Sequence, residues 1–409
     1  MGRKSLMKLG ITTCALICIL LTLILVRSFF VSNGSVKILR ADNYEGVQTH
    51  DVTPLVENLD LFITWYYQGE LIEELKNRTS MKVLLYRNVR AIYSDSEEWE
   101  KATIKGWILK DASGQLIHNT YWSDYYLADI GNIEYQDFVT NWIKDNIDKY
   151  CFDGVMADYG LNAGDALWYR MSGKAINPRT GNPYTAEEWV KDLIKLVSKI
   201  KAAISPKIYF ANGIHNGVKF HEYEEAYLKI ISEGEVDGFK SEGLFYSNEK
   251  FWYSEQEWKQ SLDLLIWVQE NFLSGSNRNR IYVCWQDARS ELVPTGATQE
   301  QLVAFVYASC LLGIKWFSQT YVTMHGAMLL GYTKQLLSIK LGTPKGDYYV
   351  IEGTLVYSRD FTKVKVLVNP TFNNYRVDLG DNYYLNGHIV SSITMKPHTG
   401  VILQVATYL

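Results

Sequence analysis

Several absences narrow what this 409-residue chain can be. There is no glycine-rich G-x-G-x-x-G turn and no Walker sequence, so the usual cradles for dinucleotide and nucleotide phosphates are missing. Histidine is scarce: seven residues, none in a His-x-His or His-Glu-x-x-His arrangement, and His221-Glu222 is followed by Tyr-Glu-Glu rather than by a second ligand. A catalytic zinc site is therefore not expected, nor any other metal or cofactor. Cysteine is scarce too. Of five, Cys14 and Cys18 sit in an apolar N-terminal stretch, and Cys151, Cys284 and Cys310 have no close spacing. That is neither a disulfide framework nor a metal knuckle, and the place of Cys151 and Cys284 beside or within predicted strands predicts small buried hydrophobes. Nor is there an excess of positive charge: 41 basic against 45 acidic residues leave a net charge of -4, which argues against a nucleic-acid partner.

What the sequence has in plenty is aromatic side chains, 14% of residues with 12 Trp and 29 Tyr. Such rings offer an apolar face with a polar tip, which suits the amphipathic faces of sugars. One long apolar run stands at the start. Residues 9–26 carry no charge and follow Arg3, Lys4 and Lys8. Length and flanking charge predict an N-terminal transmembrane helix, with residues 1–34 as cytoplasmic tail and anchor and the body outside the cell membrane; secretion after signal cleavage is the alternative.

From about residue 59 short apolar runs alternate with amphipathic stretches, the pattern of βα units around a parallel sheet. Eight runs are predicted as strands: 61–65, 83–88, 125–130, 152–158, 208–212, 236–242, 281–287 and 315–319. Helical spacing marks 70–77, 135–150, 186–203, 217–231, 255–272, 299–312 and 333–341 between them. This predicts an α/β fold, a (β/α)8 TIM barrel over residues 35–345. Long insertions at 91–123 and 160–184 fall after strands, where barrels carry their active sites. Beyond Pro344 the pattern turns to short Val-, Tyr- and Leu-rich strands, predicting a small antiparallel β-sandwich domain over 346–409 packed on the barrel.

The sharpest motif occurs twice, Phe152-Asp-Gly-Val-Met-Ala-Asp158 and Val236-Asp-Gly-Phe-Lys-Ser-Glu242. Strand alternation puts Asp158 on the face of Met156 and Gly154, and Glu242 on that of Lys240 and Gly238. If that face is the barrel interior, both carboxylates stand at its mouth, two strands apart. Two such carboxylates are what hydrolysis of a glycosidic bond requires. Asp153 and Asp237, at the strand starts, read as structural. Asp129, Asn212 and Asp287 close other runs and are candidates for binding sugar hydroxyls, while Trp65, Tyr86, Trp122, Tyr159 and Trp285 are candidates for stacking on sugar faces.

These strands, with the tail Val366-Leu-Val-Asn-Pro370 and Lys396-Pro-His-Thr-Gly-Val-Ile-Leu403, resemble a family of hypothetical TIM-barrel glycosyl hydrolases. More distantly the fourth-strand motif is similar to that of polygalactosaminidases and α-galactosidase-like barrels, in which an Asp ending the fourth strand is the nucleophile and a carboxylate ending the sixth is the acid/base. The resemblance implies Asp158 as nucleophile and Glu242 as acid/base, in a retaining hydrolase of an extracellular polysaccharide or glycan. It departs at Glu242, where the galactosidase-like barrels have Asp. Two other readings stay open: a non-catalytic carbohydrate-binding barrel at the cell surface, and a metal-dependent polysaccharide deacetylase.

Overall fold

Eight short parallel strands close into a barrel: β1 (Leu39–Asn43), β2 (Leu61–Thr64), β3 (Lys82–Asn88), β4 (Gly154–Asp158), β5 (Ile208–Ile214), β6 (Gly238–Glu242), β7 (Ile281–Asp287) and β8 (Thr320–His325), with β8 paired to β1. The computed structural model describes residues 39–43, 52–163, 170–274, 280–315 and 319–406. The expected membrane segment at 9–26 lies outside these, and among the described residues no helix is long and apolar enough to cross a membrane.

The main helices of the outer ring are α1 (Gly69–Arg78), α2 (Ile133–Tyr150), α3 (Ala186–Ile204), α4 (Glu224–Glu233), α5 (Glu255–Trp267) and α6 (Gln299–Gly313). Local signals fix their starts. Thr185 with Glu188, and Ser254 with Glu257, form reciprocal capping boxes on α3 and α5, each satisfying end N–H groups that the helix cannot.

The expected number of barrel strands is right, but their identities differ in two places. The run at 125–130 is not a barrel strand: Tyr125–Leu127 pairs antiparallel with Ala91–Tyr93 and closes the first insertion on itself. Periodicity marks a strand without saying which sheet it joins. The missing member is β1, Leu-Arg-Ala-Asp-Asn, too short and polar to stand out as an apolar run. The last strand is β8, C-terminal to the expected 315–319, of which 316–318 lie outside the described residues. Omitting β1 and counting 125–130 offset each other, so Asp158 and Glu242 still end the fourth and sixth strands.

Inward-facing side chains fill the barrel with Ala41, Leu61, Ile63, Leu84, Met156, Phe210, Val283, Trp285 and Tyr321. Met156 and Trp285 show that the inward parity is the one carrying Asp158 and Asp287. A second, larger apolar layer lies between strands and helices.

The C-terminal region is one six-stranded antiparallel sheet instead of the expected two-sheet sandwich. Its strands are β9 (Tyr349–Val350), β10 (Tyr357–Asp360), β11 (Val364–Asn369), β12 (Tyr375–Leu385), β13 (His388–Met395) and β14 (Thr399–Val405), in the order β9-β10-β11-β14-β12-β13. One face, through Val364, Val366 and Val368, joins the main core. The other has its own small core of Leu367, Val377, Leu379, Tyr383 and Leu403. An irregularity between Asp378 and Tyr383 breaks the β12–β13 register, and such breaks bend a strand, so one sheet can curl over a core that a sandwich would need two sheets to enclose. α6 is the shared wall. It is buried on nearly every side, between barrel and sheet, and the Arg359 guanidinium donates to the carbonyls of Leu311, Leu312 and Ile314 at its C-terminal end. A cation there meets the negative end of the helix dipole as well as orphan carbonyls.

Candidate active site

Each repeat of the Asp-Gly motif is built from three jobs. Asp153 accepts from the Val83 backbone N–H at 2.8 Å and from the Lys76 ammonium, tying the start of β4 to β3 and α1. Asp237 does the same for Tyr209 N–H at 2.7 Å and Lys201. The glycines are forced by close approach: a Cβ on Gly154 would stand 2.1 Å from the Ile208 carbonyl oxygen, and one on Gly238 2.7 Å from that of Ile281. The third job falls to the carboxylates at the far ends.

Asp158 receives four hydrogen bonds. Tyr86 Oη (2.8 Å) and Asn88 Nδ2 (3.3 Å) donate to Oδ2; Asn212 Nδ2 (2.8 Å) and the Tyr159 backbone N–H (3.1 Å) donate to Oδ1. The same Asn212 nitrogen also donates to Glu242 Oε2 at 2.8 Å. The two bridged oxygens therefore lie no more than 5.6 Å (twice 2.8 Å) apart. The Asn212 amide cannot turn over without cost, because its Oδ1 accepts from the Gly213 N–H at 2.8 Å. Gly213 has a φ of 147° and no room for a Cβ, which would meet the Leu161 carbonyl carbon at 2.5 Å.

Glu242 is 31% exposed, and Oε1 has no hydrogen bond among the described residues. Its Oε2 lies 3.3 Å from the Lys240 ammonium, itself almost wholly buried and 4.0 Å from the centre of the Trp285 ring. Burial pushes the Glu242 carboxyl up, but the charges of Lys240 and His215 and the Asn212 hydrogen bond outweigh it and bring it down to about 2. In the resting protein this group is a carboxylate at neutral pH, and not the proton-holding acid that a raised pKa would give.

The remaining sequence candidates divide. Tyr86 touches Asp158 directly, and its ring lies 4.4 Å from that of Trp65, which stacks at 6.1 Å on Tyr67, 58% exposed. Tyr159 adopts φ 59°, and its ring carries the buried Arg90 guanidinium at 3.6 Å. Trp285 stacks at 5.2 Å on His325. Asp287 ends β7 on the right face but is held by Arg289 through both oxygens. Asp129 sits elsewhere, in the insertions: Arg179 chelates it at 2.9 Å and ties it to the cluster of Tyr184 and Asp192. Burial raises the Asp129 carboxyl against the pull of Arg179. Trp122 is 48% exposed at the rim of the first insertion, edge-on to Tyr121.

Sequence reasoning missed the pair Asp42 and His325, at the ends of β1 and β8. Their 2.9 Å bond lifts the His325 imidazole above its usual range, against the effect of its burial. Recognising β1 would have exposed Asp42. Among the described residues no three His, Cys, Asp or Glu converge as a metal site.

Residues 76–365 match the sequence profile of hypothetical glycosyl hydrolase family 15. No curated protein matches the sequence. Solved structures of similar fold include an α-amylase from Anoxybacillus, at 12% identity over 91% of this chain and 99% of that one with a TM-score of 0.52. A maltogenic α-amylase from Thermotoga neapolitana is similar at 11% identity over 90% and 99%, TM-score 0.50. Aspergillus fumigatus Ega3, solved with galactosamine, is similar at 9% identity over 72% and 93%, TM-score 0.40.

Proposed function

The chain belongs to hypothetical glycosyl hydrolase family 15 and is by that membership a glycosidase; we propose that it cleaves an oligo- or polysaccharide between Asp158 and Glu242 with retention of configuration. The observation that carries this is the shared Asn212 nitrogen, which holds an oxygen of each carboxylate within 5.6 Å (twice 2.8 Å) of the other. Retaining enzymes place their carboxyl groups about 5–5.5 Å apart, whereas inverting ones leave about 6.5–9.5 Å for a water.

Asp158, held by four donors, attacks the anomeric carbon. Glu242 protonates the leaving oxygen through Oε1, then as a carboxylate takes the proton of the water that releases the sugar. Its low resting pKa suits that second half of the cycle. For the first half the sugar itself must raise it: filling the mouth removes the water that now reaches Glu242, strengthening the burial effect that already opposes ionisation. The ring series Tyr86, Trp65 and Tyr67, leading outward from Asp158, supports a substrate longer than one sugar. Residues 9–26 would anchor this site on the outer side of the membrane. Protease added to intact cells should then digest the body, and a soluble cytoplasmic protein would remove this part of the proposal.

The mechanism is tested by proton NMR of the first-formed product, in which an inverted anomer would make Asp158 a base and not a nucleophile. Asp158→Asn should lose several orders of magnitude on every substrate. Glu242→Gln should lose most on substrates with poor leaving groups, and added azide should restore it on an aryl glycoside. A folded Asp158→Asn with near-wild-type rates excludes it from the reaction.

A further inference from the structure

Cys284 lies in β7, on the side facing the helices, and Cys310 lies in the last turns of α6. Both are wholly buried, 26 residues apart in sequence, and their sulfurs are 2.8 Å apart. That is closer than two thiols rest in ordinary packing, and it approaches the S–S bond length of about 2.05 Å. Their side chains therefore point at one another across the strand–helix layer, the requirement that most chance cysteine pairs fail. Cys151, expected to be buried, is instead exposed, at the C-terminal end of α2.

We propose that Cys284 and Cys310 form a disulfide that staples α6 to β7 when the chain folds in an oxidising compartment. The oxidant is a disulfide of the glutathione class. The thiolate of one cysteine attacks it, releasing one glutathione thiol and leaving a mixed disulfide; the second cysteine's thiolate attacks that, releasing the other. Two cysteine thiols are oxidised and one glutathione disulfide is reduced to two thiols, each leaving thiolate taking up a proton. The exchange must precede docking of α6, because the finished packing admits no reagent to either sulfur. Burial, and then the neighbouring Cys284, also hold the Cys310 thiol well above its usual range, so Cys310 in the folded chain is a poor nucleophile. The bond fixes the wall shared by barrel and C-terminal sheet, and it anchors the strand that presents Trp285 and Asp287 at the mouth.

The full chain, made once with export into an oxidising compartment and once in a reducing cytoplasm, is alkylated in denaturant, digested without reductant and read by mass spectrometry. The exported protein should yield a joined Cys284–Cys310 peptide, and the cytoplasmic protein two alkylated peptides. Alkylated Cys284 and Cys310 in the exported protein overturn the proposal. Because substitution here also disturbs packing, Cys284→Ala, Cys310→Ala and the double variant are compared by Tm in the exported form. One shared bond makes each single loss, of several degrees, equal to the double loss; independent packing losses add, and additivity overturns the proposal.

Discussion

At Asn212 one amide does three things: it donates to Asp158, donates to Glu242, and is locked by the Gly213 N–H. The residue was legible as a strand end, but its bridging role was not, since that depends on a register and on a glycine conformation that spacing cannot show. The carboxylates themselves were legible because their motif is repeated, with alternation putting both on one face. The electrostatics of Glu242 were not, for they depend on how near Lys240 comes. Lys240→Met removes the cation that holds Glu242 down, so its carboxyl should rise toward the ordinary range and stay protonated to higher pH. The alkaline limb of kcat, which reports the enzyme–substrate complex, should then move to higher pH by about one unit or more, a unit being about 1.4 kcal/mol of interaction. An unmoved limb in a folded variant means that Glu242 is not the acid.

The elements are held at their starts by the aspartates that look redundant in the motif. Asp60, before β2, accepts from the Arg40 N–H of β1 at 3.0 Å, as Asp153 does for β3 and Asp237 for β5. Asp153→Ala leaves the Val83 N–H without this partner and should cost about 1–3 kcal/mol in denaturant unfolding, with the pH profile of the remaining activity unchanged. Gly154→Ala should cost more, since its Cβ would meet a backbone carbonyl, whereas Gly346→Ala, with open space around it, should be nearly neutral. Equal stabilities for these two glycine variants would contradict the packing described. Helices were the most legible elements because capping residues and three- and four-residue spacing are local signals. β1 was not, because a five-residue strand with Arg40 and Asp42 in it resembles a loop until its neighbours are known.

At the scale of the molecule, the sheet and barrel share α6, so neither is closed without the other. Deleting residues 346–409 bares the apolar outer face of α6 and removes Arg359 from its last carbonyls. The truncated chain should aggregate or melt many degrees lower in calorimetry, and a soluble truncation of unchanged Tm would make the sheet an independent appendage. The β character of this region was legible from composition. That one curled sheet replaces two was not, since it turns on a break between Asp378 and Tyr383 that leaves no mark in hydrophobic pattern.

The aspartate pins also give the barrel a hidden symmetry. Five residues beyond Asp60, Asp153 and Asp237 stand Trp65, Asp158 and Glu242; His325 ends β8 on the same inward face, with Thr320 five residues before it in place of an aspartate. Barrel interiors stack in layers of four side chains from alternate strands, and these four form the uppermost even-strand layer. The layer thus takes one residue from every second strand, each facing the mouth. Two neighbouring even strands have carboxylates there and the other two have rings. By ring order Glu242 stands diametrically across from Trp65, and Asp158 from His325, so the proposed mechanism would confine bond breaking to one half of the circle and leave the other half to grip the sugar.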